Sequence, residues 1–419
     1  MKILIGVVPQ GDRELLLMLN DGEPVIASCA RGEGEEQFQN YTILNSRELQ
    51  IAEQPISGSG VFRFRYGPVT SGVKEAGSYD LYTYGEKILS VGINLSWKHR
   101  RIEESMQGLE PEEGLQLAEF VCNNFGFAHS VAYSRTVEQA LDIRSDKTTE
   151  IWRQLFLEAE RIYNHLHVIY KLTSAASQKV MAAHYHALYE KALRLNCKLS
   201  GSRFLTGVNS LGMINNLPDK NGILDIIEGY QSVEEQFKEL YQHGFDNANY
   251  LDRLHDAGTL SEQQTVALGL TGPSLRACGS NDDLDDAGYD YLDIAGLPVI
   301  THDEGDALAR MEARAGELVH SCQYMIEHLK ESDLWNRKIT RKNHENRKTS
   351  GEGWGVAYAA SGVVGYYLHI AENKIRRVRI CTPSYAGMHA IATALPDHIF
   401  TDFPFVVDSF GVNFADAAC

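Results

Sequence analysis

Apolar residues at Ile151, Leu155, Ala159, Ile162, Leu166 and Ile169 recur at spacings of three and four, which puts them on one face of a helix. Similar periodicity predicts helices over 178–198, 222–241 and 303–331. The flanks follow another rhythm. Phe62-Arg63-Phe64-Arg65-Tyr66 alternates apolar and charged and then meets Gly67-Pro68, while 85–93 has the same strand-and-turn character. Ile375-Arg376-Arg377-Val378-Arg379-Ile380 alternates again near the end, and Asp402–Val407 reads as an apolar, strand-like run before a polar turn. Gly353 to Ala371 lacks Asp, Glu, Lys and Arg and approaches the length of a membrane span, but glycines at 353, 355, 362 and 365 favour two strands joined by a turn. The pattern predicts an α+β fold: a mainly helical central bundle flanked by small β-sheets.

At 419 residues the chain exceeds the usual single domain. Residues 1–60 read as a β-rich, loop-rich extension punctuated by Arg31–Glu36 and Ser57–Gly60, and 61–419 as the main body. Residues 334–350, with Lys338, Arg341, Lys342, Arg347 and Lys348, read as a polar basic connector. A net charge of −17 excludes the basic stripes of a nucleic-acid binder and disfavours direct docking on an anionic membrane. Seven cysteines, at 29, 122, 197, 278, 322, 381 and 419, include no CxxC pair, so a reducing cytoplasm is the expected compartment. The run Met1–Val8 lacks a cleavage pattern and reads as a buried first strand.

Familiar catalytic motifs are absent: there is no HExxH, GxSxG, Walker loop or GxGxxG after a strand. The pairs His165/His167 and His184/His186 are two residues apart, which sends them to different sides of a helix and suits hydrogen bonding better than shared metal ligation. More informative is Glu119–Ser130, where an Asn-Asn-Phe-Gly turn lies between two helical stretches and carries Cys122. A turn feeding a helix amino terminus favours an anionic thiolate. A lone cysteine, however, is more often a small buried hydrophobe than a ligand.

Several short motifs occur in one order: Tyr66-Gly67-Pro68, Gly85–Leu89, His99-Arg100-Arg101-Ile102-Glu103, Cys122 with Phe127–Ser130, and Glu158–His165. Thr271–Gly279, Arg379–Ser384 and Asp402 with Pro404 complete the series, and Asn413-Phe414-Ala415-Asp416 closes it. From about residue 66 onward the chain resembles the large subunit of energy-converting nickel–iron hydrogenases and the related peripheral-arm subunit of NADH:quinone oxidoreductase (complex I). The resemblance implies a hydrogenase large-subunit-like fold. In the hydrogenases two Cys-x-x-Cys pairs bind nickel and iron; the four corresponding positions here read Cys122, Phe125, Asn413 and Asp416. One thiol, a phenyl ring, an amide and a carboxylate do not make a soft-thiolate site, so no metal and no active hydrogenase are expected. Complex I has converted this cavity to quinone reduction, using a His on the first hairpin loop and a Tyr after the HxGxE-like motif. Here that loop reads Pro68-Val69-Thr70-Ser71-Gly72, and no tyrosine follows Glu103 until Tyr133. A quinone site is therefore implied without its usual donors.

The resemblance further implies a peripheral-arm subunit of a membrane-bound, complex I-like oxidoreductase that couples electron transfer to ion translocation. Its partners would be a small iron–sulfur subunit holding the cluster, membrane-embedded ion-translocating subunits and other peripheral-arm subunits, at the inner face of the cell membrane. Candidate site residues are His99, Glu103, Cys122 and Asp416, with Arg203, Arg276 and Arg310 as candidates for the same interface or for buried ion pairs. Burial would push Asp408 and Asp416 toward their neutral forms. Two other readings stand beside this one: a non-catalytic scaffold subunit, and a metalloenzyme using Cys122, Asp416 and a histidine such as His129.

Overall fold

The computed structural model describes residues 2–10, 13–20, 23–30, 48–51, 55–69, 75–215, 217–218, 222–280, 300–331, 335 and 347–419. Arg31–Glu36, Thr70–Gly72 and most of the 334–350 connector lie outside these residues. Three strands come first, β1 (Lys2–Gln10), β2 (Arg13–Asn20) and β3 (Glu23–Ala30), forming an antiparallel sheet. The short β4 (Gln50–Ile51) joins β5 (Val61–Tyr66), β6 (Ser78–Tyr84) and β7 (Lys87–Asn94) in a second sheet of order β4-β7-β6-β5. Helices follow: α1 (Ile102–Met106), α2 (Pro111–Glu119), α3 (Gly126–Leu141), α4 (Lys147–Ala175) and α5 (Lys179–Ser200). A minimal hairpin of β8 (Asn209–Ser210) and β9 (Met213–Ile214) precedes α6 (Ile223–Phe245) and α7 (Ala307–Lys330). Three shorter helices, Ala248–Leu254, Glu262–Ala267 and Pro273–Arg276, lie between these two in sequence. The third sheet is β10 (Gly351–Ala359), β11 (Gly362–Ala371) and β12 (Lys374–Cys381), and the chain ends in α8 (Pro383–Ala394), α9 (Phe403–Ser409) and α10 (Phe414–Ala417). This is an α+β fold.

Helix α4 is the central post. Asp146 caps it by accepting from Thr149 N at 2.7 Å, and Leu155, Ala159, Ile162, Leu166 and Ile169 are all fully buried along its predicted face. It packs against α5 and α7. The charge-free 353–371 stretch is the β10–β11 hairpin, closed by Ala360-Ser361 between paired Ala359 and Gly362. Its glycines serve a close approach: a Cβ on Gly353 would sit 2.2 Å from Thr136 O, so α3 lies directly on the sheet only because none is there. Leu15 and Leu17 of β2 pack with Trp354, Val356, Tyr358, Val363, Tyr367 and Cys381, seating the first sheet on the third. Among the described residues no helix is long and apolar enough to cross a membrane.

The Asp402–Val407 run is corrected: it is not a strand but the beginning of helix α9, with Pro404 in its first turn. Pro lacks an N–H that a first helical turn would leave unbonded anyway, whereas a ladder would need it. The buried faces of Phe403, Phe405 and Val406 then settle a short apolar run that periodicity alone leaves ambiguous.

Candidate functional site

The turn carrying Cys122 sits between α2 and α3. Helix α3 has Phe125 at its N-cap, which offers no capping oxygen. The missing acceptor comes from α4: Glu160 takes hydrogen bonds from Phe127 N at 2.8 Å and Ala128 N at 3.0 Å. Tyr163 donates to Asn123 O at 3.1 Å and Asn164 to Asn124 O at 3.3 Å, so α4 pins the whole turn. The amino-terminal N–H groups of α3 are thus claimed by the Glu160 side chain, not by Cys122. Burial pushes the Cys122 thiol well above its ordinary range, and the charge of Asp416 adds to the shift, so the thiolate expected from the helix terminus does not form. Burial also pushes Glu160 up to about 8, against its two backbone donors.

At the carboxyl end, Asn413 caps α10 by accepting from Ala415 N at 2.8 Å and Asp416 N at 3.3 Å. Asp416 is fully buried. Its Oδ1 lies 2.8 Å from His129 Nε2, its Oδ2 accepts from Ser384 N at 3.2 Å, and its carbonyl accepts from Thr382 Oγ1 at 3.1 Å. The other ring nitrogen, His129 Nδ1, lies 2.8 Å from Tyr366 Oη. A Tyr366–His129–Asp416 chain therefore runs through the interior from β11 to α10. Cys122, His129 and Asp416 do not bring three donor atoms within ligating reach of one another. Among the described residues the group that does is His255, Asp256 and Asp306, two of them exposed. Asp306 there already caps α7, accepting from Ala309 N at 2.8 Å.

The four positions that the hydrogenase resemblance sets against metal-binding thiolates divide in two. Cys122 and Asn413 line an open cavity of about 690 Å³, whereas Phe125 and Asp416 are packed into the core behind it. Tyr66, Tyr79, Phe403 and Phe414 form one wall, linked by edge-to-face contacts at 5.0–5.5 Å. Asp408 is on this wall, ion-paired to Lys171 at 2.6 Å, so it faces an open cavity rather than a closed one.

The remaining candidates fall on either side of this site. His99 Nδ1 donates to Ala418 O at 2.7 Å, holding the last residues beside α10. Glu103 accepts from Ile380 N at 2.8 Å and lies 3.7 Å from Arg379. Its charge contributes to the raised pKa of Tyr366, after burial, Cys419, Asp416 and Tyr133. Arg276 and Arg310 do not line an exposed interface; they are buried. Arg276 pairs with Glu317 at 2.6 Å, and Glu317 lies 2.9 Å from His165. Against the cost of burial, Arg276 and His165 hold the Glu317 carboxyl well below its usual range, while burial lowers His165 to about 4. Arg310 donates to Ser409 Oγ at 2.9 Å and to Gly305 O at 2.8 Å. Arg203 is exposed and pairs with Glu190. Sequence reasoning passed over Tyr366, Glu160 and also Glu75, which lines the cavity and accepts from Ala415 N at 2.9 Å. For Glu160 there was a signal: a helix starting at Phe125-Gly126 without Ser, Thr, Asp or Asn needs an acceptor from elsewhere.

The chain is similar to several known proteins. The chain is 24% identical over 352 residues to formate hydrogenlyase subunit 5 of Escherichia coli (strain K12), covering 82% of this chain but 60% of that protein's length. It is 24% identical to membrane-bound hydrogenase subunit alpha of Pyrococcus furiosus, over 82% of this chain and 84% of the relative. It is 25% identical to a subunit of the NADH-quinone oxidoreductase of Clostridium beijerinckii, over 77% of this chain and 87% of the relative. A solved chain of the membrane-bound sulfane sulfur reductase, an archaeal respiratory membrane complex, superimposes with a TM-score of 0.75 at 22% identity, covering 87% of this chain and all of the other, which establishes the fold. The model of the nickel-dependent hydrogenases matches residues 100–214. Residues 180–418, more than half of the chain, match the model of the 49 Kd subunit of the respiratory-chain NADH dehydrogenase, and the chain belongs to that family.

Proposed function

We propose that this chain is a peripheral-arm subunit of a membrane-bound, complex I-like or hydrogenase-related oxidoreductase that couples electron transfer to ion translocation, without a nickel–iron centre of its own. In this reading it attaches to the inner face of the membrane through partners. One is a small subunit carrying an iron–sulfur cluster, and others are membrane-embedded, ion-translocating subunits. The cysteines are dispersed along the chain with no C-x-x-C spacing, which suits a cluster held by a neighbour. The cavity at Cys122 and Asn413 receives the electron acceptor.

One observation carries the reading. The four positions that hold metal in the hydrogenases supply a single sulfur, as a buried thiol, and the other three are engaged elsewhere: Phe125 in the core, Asn413 in a helix cap, Asp416 on His129. That donor set does not fit nickel and iron. The structural use of these positions also favours the second reading, a scaffold subunit with no part in turnover.

The test is nickel and iron content of the purified native complex, normalised to this subunit. Nickel should be absent, with iron accounted for by partner clusters; one nickel per chain refutes the reading. Cys122→Ala in the same complex separates the two roles. A scaffold keeps full turnover, whereas an acceptor site at this wall loses affinity for its substrate.

A further inference from the structure

The cavity is cationic in a strongly acidic protein. The whole chain carries 39 Lys and Arg against 56 Asp and Glu, yet the charged residues lining the cavity are Lys98, Arg100, Lys171 and Lys179 against Glu75 and Asp408. The two carboxylates are spoken for. Asp408 is 2.6 Å from Lys171; Glu75 is 3.9 Å from Lys98 and also accepts from Ala415 N at 2.9 Å. Among the described residues Arg100 and Lys179 meet no carboxylate. Arg100 donates to Phe120 O at 2.9 Å and to Val121 O, and Lys179 donates to Ser174 O at 2.9 Å and Ser174 Oγ at 3.1 Å. Among the described residues two exposed positive charges of the lining therefore meet no opposite charge, and a guanidinium has five N–H donors, of which these bonds use two. Tyr66, Phe120, Tyr170 and Phe414 line the same cavity as Cys122.

From this we infer that the cavity binds a small organic anion, one with a planar apolar body and a carboxylate- or sulfonate-like group, rather than a neutral molecule. The acidic group meets Arg100 and Lys179 at the mouth, while the ring system enters between the aromatic walls toward Cys122 and Asn413. The volume of about 690 Å³ suits such a ligand, since small-molecule pockets run to about 300–1,000 Å³. A cleft whose lining carries an excess of one sign of charge also concentrates ligands of the opposite sign. The inference deepens the reading of this cavity as the acceptor site, and it rests on that reading for the ligand's role though not for its binding.

The experiment compares two probes on the purified native complex by titration calorimetry, naphthoquinone sulfonate and neutral naphthoquinone, at low and high salt. Reduction of each is followed separately. The sulfonate should bind at least about tenfold more tightly, a difference of about 1.4 kcal/mol, and the preference should shrink as salt rises. Lys179→Glu should abolish the preference. Lys179 is the first residue of α5, where a glutamate suits the helix dipole, so folding is not compromised. Equal binding of the two probes, or a preference unchanged in Lys179→Glu, overturns the inference even if both quinones are reduced. Preferential binding of the sulfonate without reduction leaves it standing and instead overturns the acceptor reading.

Discussion

Asp416→Ala tests whether the buried Asp416 carboxylate has a structural role. The carboxylate is fully buried and meets two groups that are buried with it, His129 Nε2 at 2.8 Å and Ser384 N at 3.2 Å. Among the described residues neither atom has another acceptor, and the alanine methyl supplies none. Leaving a buried donor unsatisfied costs about 1–3 kcal/mol each, and breaking a buried pair by removing one partner costs about 3–5 kcal/mol. The two routes agree on a loss of about 3–5 kcal/mol. Urea denaturation of the full chain reads it, with the buried Trp152 and Trp354 as fluorescent reporters. A second substitution sharpens the result. In His129→Leu, Asp416→Ala the orphaned imidazole is gone, so the double variant should be more stable than the sum of the singles by about 1–3 kcal/mol. A loss below about 1 kcal/mol for Asp416→Ala, or strict additivity in the cycle, refutes the argument that this pair holds α3 to α10.

Two further outcomes follow from the same geometry. Glu160 binds its proton more tightly folded, at about 8, than at its ordinary 4.5. Its contribution is therefore full below about 4.5 and lost as pH rises toward 8, at up to about 1.4 kcal/mol per unit. Glu160→Gln should flatten that window in urea midpoints measured across it, and an unchanged pH slope would count against the assignment. Leu17 is fully buried against Trp354 and its neighbours, so Leu17→Ala should cost about 2–5 kcal/mol and speed proteolytic release of the first sheet, leaving ligand binding intact; unchanged cleavage would show that the contact does not secure β1–β3.

What could be read from the sequence was what is local. The spacing of Ile151 to Ile169 was enough for α4, because a period near 3.6 sustained over five turns has no competing explanation. The glycines of 353–371 were enough to break a charge-free stretch into β10 and β11. Asp402–Val407 failed for the opposite reason: six residues give no periodicity, Phe and Val favour strands, and only packing of Phe403 and Phe405 selects the helix. Within the site, the identities at 122, 125, 413 and 416 were plain, and the case against a metal centre came from ligand chemistry alone. The pairing of His129 with Asp416, 287 residues apart, was not readable, although each residue stands out as a candidate by its chemistry. Nor was the capping of α3 by Glu160, since a cap supplied from another helix depends on tertiary structure.

The division of the four positions gives the site its logic. A thiolate set needs all its donors facing one volume. Here Phe125 and Asp416 have withdrawn into the core, where a phenyl ring is stable and a carboxylate is stable only because His129 and Ser384 N meet it. Cys122 and Asn413 remain on the wall, but one is a neutral thiol and the other has its oxygen committed to α10. Neither is an electrophile, a base or a charged anchor. On the proposed reading, recognition at this cavity comes from what surrounds those positions, and among the described residues Arg100 and Lys179 are lining cations that meet no carboxylate.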